Sequence, residues 1–306
     1  MTDPVIEVEG LTKRYGTLVA VDGIDLEVIR GEVFGLLGPN GAGKTTVLEC
    51  LEGIRRADAG QIRVAGCDPQ VDTKTLRSKL GVQLQVSSLP DHMRVREAVS
   101  LVCAWHGVSV RSGLGLIQSL GVESLMNRMY GRLSTGQQRR LHVLLPLLVD
   151  PEVLVLDEPT AGLDVQSRLE LHLQIRAAQS RGVTVLLATH DMAEAELLCD
   201  RIAIILHGKV VLCGNPSDVA LAGSQTTKVR IRTANDSLLP GLDLPGAVFT
   251  GASYGYLEWQ STDVADTLIE LLNHVKGARD TVEDLRVERS SLEERFLQVV
   301  EGVSKP

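Results

Sequence analysis

The segment Gly38-Pro-Asn-Gly-Ala-Gly-Lys-Thr45 narrows what this chain can fold into more than any other stretch. It follows Val33–Leu37, a continuous apolar run of the kind a buried parallel strand shows, and it precedes a predicted helix. Strand, glycine loop and helix in that order match the pattern G-x-x-x-x-G-K-[ST] in the context that gives it meaning. Gly38, Gly41 and Gly43 let the backbone wrap so that several N–H groups face inward at the helix N-terminus, where a phosphate chain is held. The enclosing loop is Gly38, Pro39, Asn40, Gly41, Ala42, Gly43, Lys44, Thr45 and Thr46. Lys44 supplies positive charge to the β- and γ-phosphates of a nucleotide, and the Thr45 hydroxyl is offered to Mg²⁺.

Further along, Val153-Leu-Val-Leu-Asp157-Glu158 is a buried strand ending in two carboxylates. Asp157 is expected beside the metal, holding it through water, and Glu158 is a candidate general base for an attacking water. Between these elements lies Leu133-Ser134-Thr135-Gly136-Gln137-Gln138. A serine followed by a glycine at a helix N-terminus is a second anion site. One chain has little need of two, unless one serves a neighbour's nucleotide.

These motifs resemble the ABC ATPase family over residues 4–222. LSTGQQ is similar to the family's LSGGQ signature, LVLDEP follows it, and Ala161-Gly-Leu-Asp164 matches the D-loop. Gln85, in LGVQLQ, stands at the place of the Q-loop glutamine, with Gln83 as its competitor. His190, in LLATHD, matches the switch histidine, and Tyr15, in LTKRYG, matches the aromatic that stacks on adenine. The resemblance implies an α/β fold: a P-loop NTPase core with an antiparallel β subdomain and a helical subdomain. It implies two such domains, in a homo- or heterodimer, sandwiching two ATP molecules with Mg²⁺. Tyr15, Lys44, Thr45, Gln85, Asp157, Glu158 and His190 then act on one nucleotide; Ser134, Gly136, Gln137 and Asp164 act on the partner's. Thr45, Gln85 and Asp157 are the expected metal residues. Two departures stand out: Thr135 replaces the first signature glycine, and Pro146 falls inside the expected signature helix, where it should kink the chain.

The pattern along the chain predicts a domain over residues 1–222, with a helical subdomain near 86–150, a linker at 223–227 and a small α+β appendage over 228–306. Strands are expected at Ile6–Val8, Leu18–Val21, Ile24–Ile29 and Val183–Ala188. In the appendage, strands are expected at Lys228–Thr233 and Gly255–Trp259. Val264, Leu268, Leu271, Leu272 and Val275 share a helical face, and a last helix begins at Ser291 with Glu294 reaching back as in a capping box. His142 and His172 show no partner in sequence, and Trp105 and Trp259 read as packing residues.

Five scattered cysteines without a CxxC pair fit reduced thiols. A formal charge of -8 argues against a nucleic-acid partner. No stretch is apolar enough to span a bilayer, so membrane work falls to a separate integral permease, and a peripheral position on the cytoplasmic face of the membrane is expected. The ending SSLEERFLQVVEG and the stretch LGVQLQVSSLPDHMRVREAVSL resemble ATPase subunits of ABC-2-type exporters, including the daunorubicin-resistance type. That resemblance implies export of a drug, antibiotic or lipid-like compound; an importer subunit and a soluble, non-transport ABC ATPase are the alternatives.

Overall fold

The computed structural model describes residues 3–83, 88–222, 226–289 and 291–303. The chain divides into two compact units, Met1–Pro216 and Ser217–Pro306. In the first, the elements run β1 (Pro4–Tyr15), β2 (Leu18–Ile29), β3 (Val33–Leu37), α1 (Lys44–Leu51), β4 (Ala59–Val64), α2 (Thr73–Lys79) and β5 (Leu80–Gln83). Then come α3 (Val95–Trp105), α4 (Leu114–Ser119), α5 (Thr135–Leu147), β6 (Val153–Asp157), α6 (Val165–Ser180), β7 (Thr184–Thr189), α7 (Met192–Leu198), β8 (Arg201–Leu206) and β9 (Lys209–Gly214). A short helix, α8 (Pro216–Leu221), starts at the division.

The central sheet has the order β5-β6-β7-β3-β8-β9, parallel except for the antiparallel edge pair β8–β9. β3 lies between β7 and β8 and is buried along its whole length, which is why its sequence is apolar at every position except Gly35. Gly35 is required there: a Cβ would come within 2.7 Å of Cys199 Sγ and 3.1 Å of Ile202. The parallel strands β3, β6 and β7 all end toward one edge, so the residues after Leu37, at Asp157 and after Thr189 emerge together.

A second, antiparallel sheet of order β2-β1-β4 is built from alternating buried and exposed positions. Leu18–Val21 and Ile24–Ile29, expected as two strands, form the single strand β2. The Asp22–Gly23 step is an irregularity in its pairing with β1, with Gly23 at φ 68, and not a turn. The helical part runs from α3 to α5 over its own apolar cluster, including Val95, Val99, Ile117, Leu125, Leu141 and Leu144. Pro146 lies within the last turn of α5.

The second unit carries β10 (Thr227–Thr233), β11 (Ala247–Ser253), β12 (Tyr256–Ser261), α9 (Val264–Gly277), β13 (Val282–Arg289) and α10 (Leu292–Val303). Its antiparallel sheet has the order β11-β12-β10-β13. One face buries Val229, Ile231 and Trp259 with Leu271 and Val275 of α9, and Phe249 meets the Trp259 ring edge-on at 5.4 Å. Ion pairs such as Arg230–Glu258 at 2.6 Å and Arg232–Glu283 at 3.0 Å lie on the other. Leu272, expected in the buried stripe of α9, is exposed. Ser291 Oγ does accept from the Glu294 N–H at 3.2 Å, whereas the Glu294 carboxylate pairs with Lys228 at 2.5 Å instead of closing a capping box. Of the expected linker, residues 223–225 lie outside the described residues, and Thr227 already belongs to β10.

Candidate functional site

The loop after β3 folds as its glycines require. Gly38 lies where a Cβ would stand 2.3 Å from the Ile205 carbonyl oxygen, and a Cβ on Gly43 would stand 2.4 Å from that of Ala20. Gly41 and Gly43 take φ of 81 and 109, a region costly to other residues. α1 then starts at Lys44, so its unpaired N–H groups open into a cleft of about 420 Å³. Tyr15, Leu18, Ala20, Asn40 to Thr46 and Glu158 line that cleft. Leu18 and Ala20 come from β2 and are ordinary apolar residues in sequence, with no signal to mark them.

Lys44 is buried, and its ammonium donates to the carbonyl oxygens of Gly38 at 2.7 Å and Pro39 at 3.2 Å. It lies 3.9 Å from Glu158 Oε1. Burial lowers the Lys44 pKa, against the charges of Glu158 and Asp157, which raise it. Thr45 Oγ1 donates to Asp157 Oδ2 at 3.1 Å. Burial raises the Asp157 pKa, the Thr45 hydrogen bond opposing. Asp157 Oδ1 is buried without a hydrogen-bond partner. A hydroxyl and an orphaned carboxylate oxygen at the mouth of a phosphate loop suit Mg²⁺, which takes oxygen donors and keeps most of its shell for water and phosphate. Glu52, just past α1, is pushed up to about 8 by burial and then by the charges of Asp157 and Glu49.

Glu158 follows β6 in the left-handed region, at φ 49, with its N–H donated to the Ala188 carbonyl of β7 at 2.9 Å. That turn brings its buried carboxylate to His190, whose Nδ1 stands 2.7 Å from Oε2. His190 itself is exposed.

Ser134, Gly136, Gln137 and Asp164 do not line this cleft. Ser134 and Gln137 form a reciprocal cap at the start of α5. Asp164 caps α6 through the Ser167 N–H at 2.9 Å and accepts from the Ser167 hydroxyl at 2.8 Å, bonds that lower its pKa. A Cβ on Gly136 would stand 2.5 Å from Ser167 Oγ, so the two capped helix starts touch. Gln85 lies outside the described residues; Gln83 is buried at the end of β5.

Two histidines without expected partners have them: His142 Nε2 lies 2.8 Å from the Tyr130 hydroxyl, and His172 Nε2 lies 3.3 Å from Glu194 Oε1. Trp259 is fully buried as expected, whereas Trp105 is 77% exposed.

A parallel strand feeding a glycine loop, with acidic and histidine residues at the ends of neighbouring strands, defines a P-loop nucleotide-binding domain. Residues 21–161 match the ABC transporter domain family. The chain is 34% identical to the daunorubicin resistance ATP-binding protein DrrA3 of Streptomyces coeruleorubidus, over 98% of this chain and 96% of that one. It is 40% identical to the Nod factor export ATP-binding protein I of Ralstonia nicotianae, over 71% and 68% of the two. Among solved structures, cbiO1 of Clostridium perfringens, part of the ABC transporter complex cbiONQ, superposes with a TM-score of 0.64 at 30% identity, covering 71% of this chain and 90% of that one. The chain belongs to the ABC transporter family as an ATP-binding subunit, an ATPase coupled to transport. Subunits of this kind dimerise and work with membrane permeases. Among the described residues no helix is long and apolar enough to cross a membrane.

Proposed function

We propose that this subunit powers export through a separate integral membrane permease, from the cytoplasmic face of the membrane, by hydrolysing ATP between two head-to-tail nucleotide domains. The observation that carries the composite site is the division of the motif residues into two groups. Tyr15, Lys44, Thr45, Asp157, Glu158 and His190 gather at the cleft and its rim, while Ser134, Gly136 and Asp164 meet on a separate pair of helix starts outside it. The second group has an anion-binding helix N-terminus and no phosphate loop of its own to serve, which suits the nucleotide of a facing domain.

In this reading the loop N–H groups and Lys44 bind the phosphates, and Tyr15 receives the adenine. Glu158 accepts a proton from the attacking water, and His190 orients that carboxylate and meets the γ-phosphate. Thr45 and Asp157, with Gln85, hold Mg²⁺. When bound, the ion neutralises charge that builds on the phosphate oxygens. Export is supported by the relatives named for daunorubicin resistance and Nod factor export. The permease is expected on the helical part, where Leu89, Val102, Leu145, Val149 and the exposed Trp105 line an apolar groove beside β5.

The test is ATP turnover and sizing with Mg²⁺ and ATP, on wild type and Glu158→Gln. Lost turnover with an ATP-trapped dimer is the expected result. Unchanged turnover removes Glu158 from its role, and no ATP-dependent dimer in either protein overturns the homodimeric sandwich. For export, cells lacking the subunit should accumulate the permease's substrate; depletion of that substrate would indicate import.

A further inference from the structure

Arg55 has no place in any motif, yet it is held as firmly as a site residue. It lies just beyond α1, its N–H donated to the Glu49 carbonyl at 2.9 Å. Its guanidinium forks onto the Glu49 carboxylate, Nε to Oε2 at 2.5 Å and Nη2 to Oε1 at 3.3 Å. That two-point grip fixes the guanidinium plane as well as its position. Arg55 Cζ then lies 5.2 Å from the centroid of the Tyr15 ring, within range of a cation–π contact. Lys13 Nζ lies 5.8 Å from the same ring and is tethered to Asp58 at 2.9 Å; the other oxygen of Asp58 accepts from the Arg14 N–H at 2.7 Å.

Tyr15 lines the cleft; Arg55 and Lys13 do not. Both cations therefore meet the ring from residues that are not part of the cleft lining. Tyr15 ends β1, one residue before the left-handed Gly16, and is 37% exposed.

We propose that Arg55, clamped by Glu49, is a positioning residue that orients the Tyr15 ring as a preformed platform for the purine base. The inference rests on the reading of Tyr15 as the residue that receives adenine. An ion pair as exposed as Glu49–Arg55, at 24% and 40%, contributes little to stability in itself. Its effect is to remove rotameric freedom that base binding would otherwise have to remove.

The experiment is calorimetric titration of ATP, and separately of inorganic tripolyphosphate, into wild type, Arg55→Ala, Arg55→Lys, Glu49→Gln, Tyr15→Ala and the Tyr15→Ala/Arg55→Ala double variant. Arg55→Ala should weaken ATP about threefold to tenfold and leave tripolyphosphate, which has no base, unchanged. Arg55→Lys should recover part of the loss, and Glu49→Gln should show a smaller loss in the same sense. In the Tyr15→Ala background the Arg55 substitution should add nothing.

If Tyr15→Ala weakens ATP and Arg55→Ala does not, the positioning role fails and the adenine platform stands. If Tyr15→Ala leaves ATP affinity unchanged, the platform fails and the inference with it. Equal weakening of tripolyphosphate by Arg55→Ala, or a full additional loss in the double variant, also overturns the proposal.

Discussion

Nδ1 of His190 stands 2.7 Å from Oε2 of Glu158 and 2.8 Å from Oε1, so a single ring nitrogen faces both oxygens of a buried carboxylate. The relationship follows from the sheet. β6 and β7 are parallel neighbours in which Asp157 pairs with Ala188, so the residues just past each strand emerge side by side. The left-handed backbone at Glu158 then turns the carboxylate toward the histidine.

If Glu158 is the base, Glu158→Gln keeps the shape of the pair and removes the acceptor. Turnover should fall by about 10²–10⁴-fold while ATP affinity changes little. His190→Ala, which leaves the carboxylate in place but loosens it, should fall in the same direction. Single-turnover ATP hydrolysis beside equilibrium ATP binding separates the two effects; a loss confined to affinity would reassign both residues to binding.

Asp157 offers a different test, because burial already disfavours its charge and one oxygen has no partner. Asp157→Asn should leave the fold at least as stable, since the neutral amide is cheaper to bury. It should also abolish most of the gain in ATP affinity that Mg²⁺ confers. Titration of ATP with Mg²⁺ and with EDTA, on both proteins, measures that gain directly. A gain equal to that of the wild type would exclude Asp157 as a metal residue.

Much of this arrangement is legible in the sequence for one reason: a parallel strand buried on both faces is apolar through its interior, so polar residues gather at its ends. Val33–Leu37 was expected to the residue, and Asp157, Glu158 and His190 stand out as polar residues at such ends. Antiparallel strands carry weaker marks. A bulge at Gly23 has the same composition as a turn, which splits β2 in two on paper. β13, Val-Glu-Asp-Leu-Arg-Val-Glu-Arg, becomes a strand through cross-strand partners such as Asp284 opposite Arg232, and those are set by register. The partners of His142 and His172 sit on other elements, and no local pattern announces them.

His142 makes a pH prediction with a definite sign. Burial, helped by the charge of Arg139, lowers its pKa from 6.5 to about 4. The folded state therefore holds it neutral while the unfolded chain takes a proton below 6.5, so stability present above pH 6.5 is lost as pH falls toward 4. At pH 5 the loss from this one group is about 2 kcal/mol relative to pH 7. Urea unfolding at both values should show His142→Gln losing less than the wild type. Equal losses in the two proteins would mean that His142 titrates normally in the fold.

The contact between Gly136 and Ser167 allows a test by suppression. A methyl group at position 136 would stand 2.5 Å from Ser167 Oγ and 3.0 Å from its Cβ. Ser167 in turn makes both hydrogen bonds to the Asp164 cap, so the added methyl must shift the start of α6 against that of α5. Overpacking of this kind costs about 1–3 kcal/mol. If the two segments serve a facing domain's nucleotide, as proposed, the same cost placed on the hydrolytic step corresponds to a turnover loss of about five- to 150-fold. Gly136→Ala should show this loss with unchanged ATP affinity, because neither residue lines the chain's own cleft. Adding Ser167→Gly removes the atoms the methyl strikes, at the smaller cost of a glycine in the first turn of α6. Turnover in the double variant should therefore exceed that of Gly136→Ala alone. If it does not, the cost of the methyl lies in its approach to the facing nucleotide and not in the packing of the two helix starts.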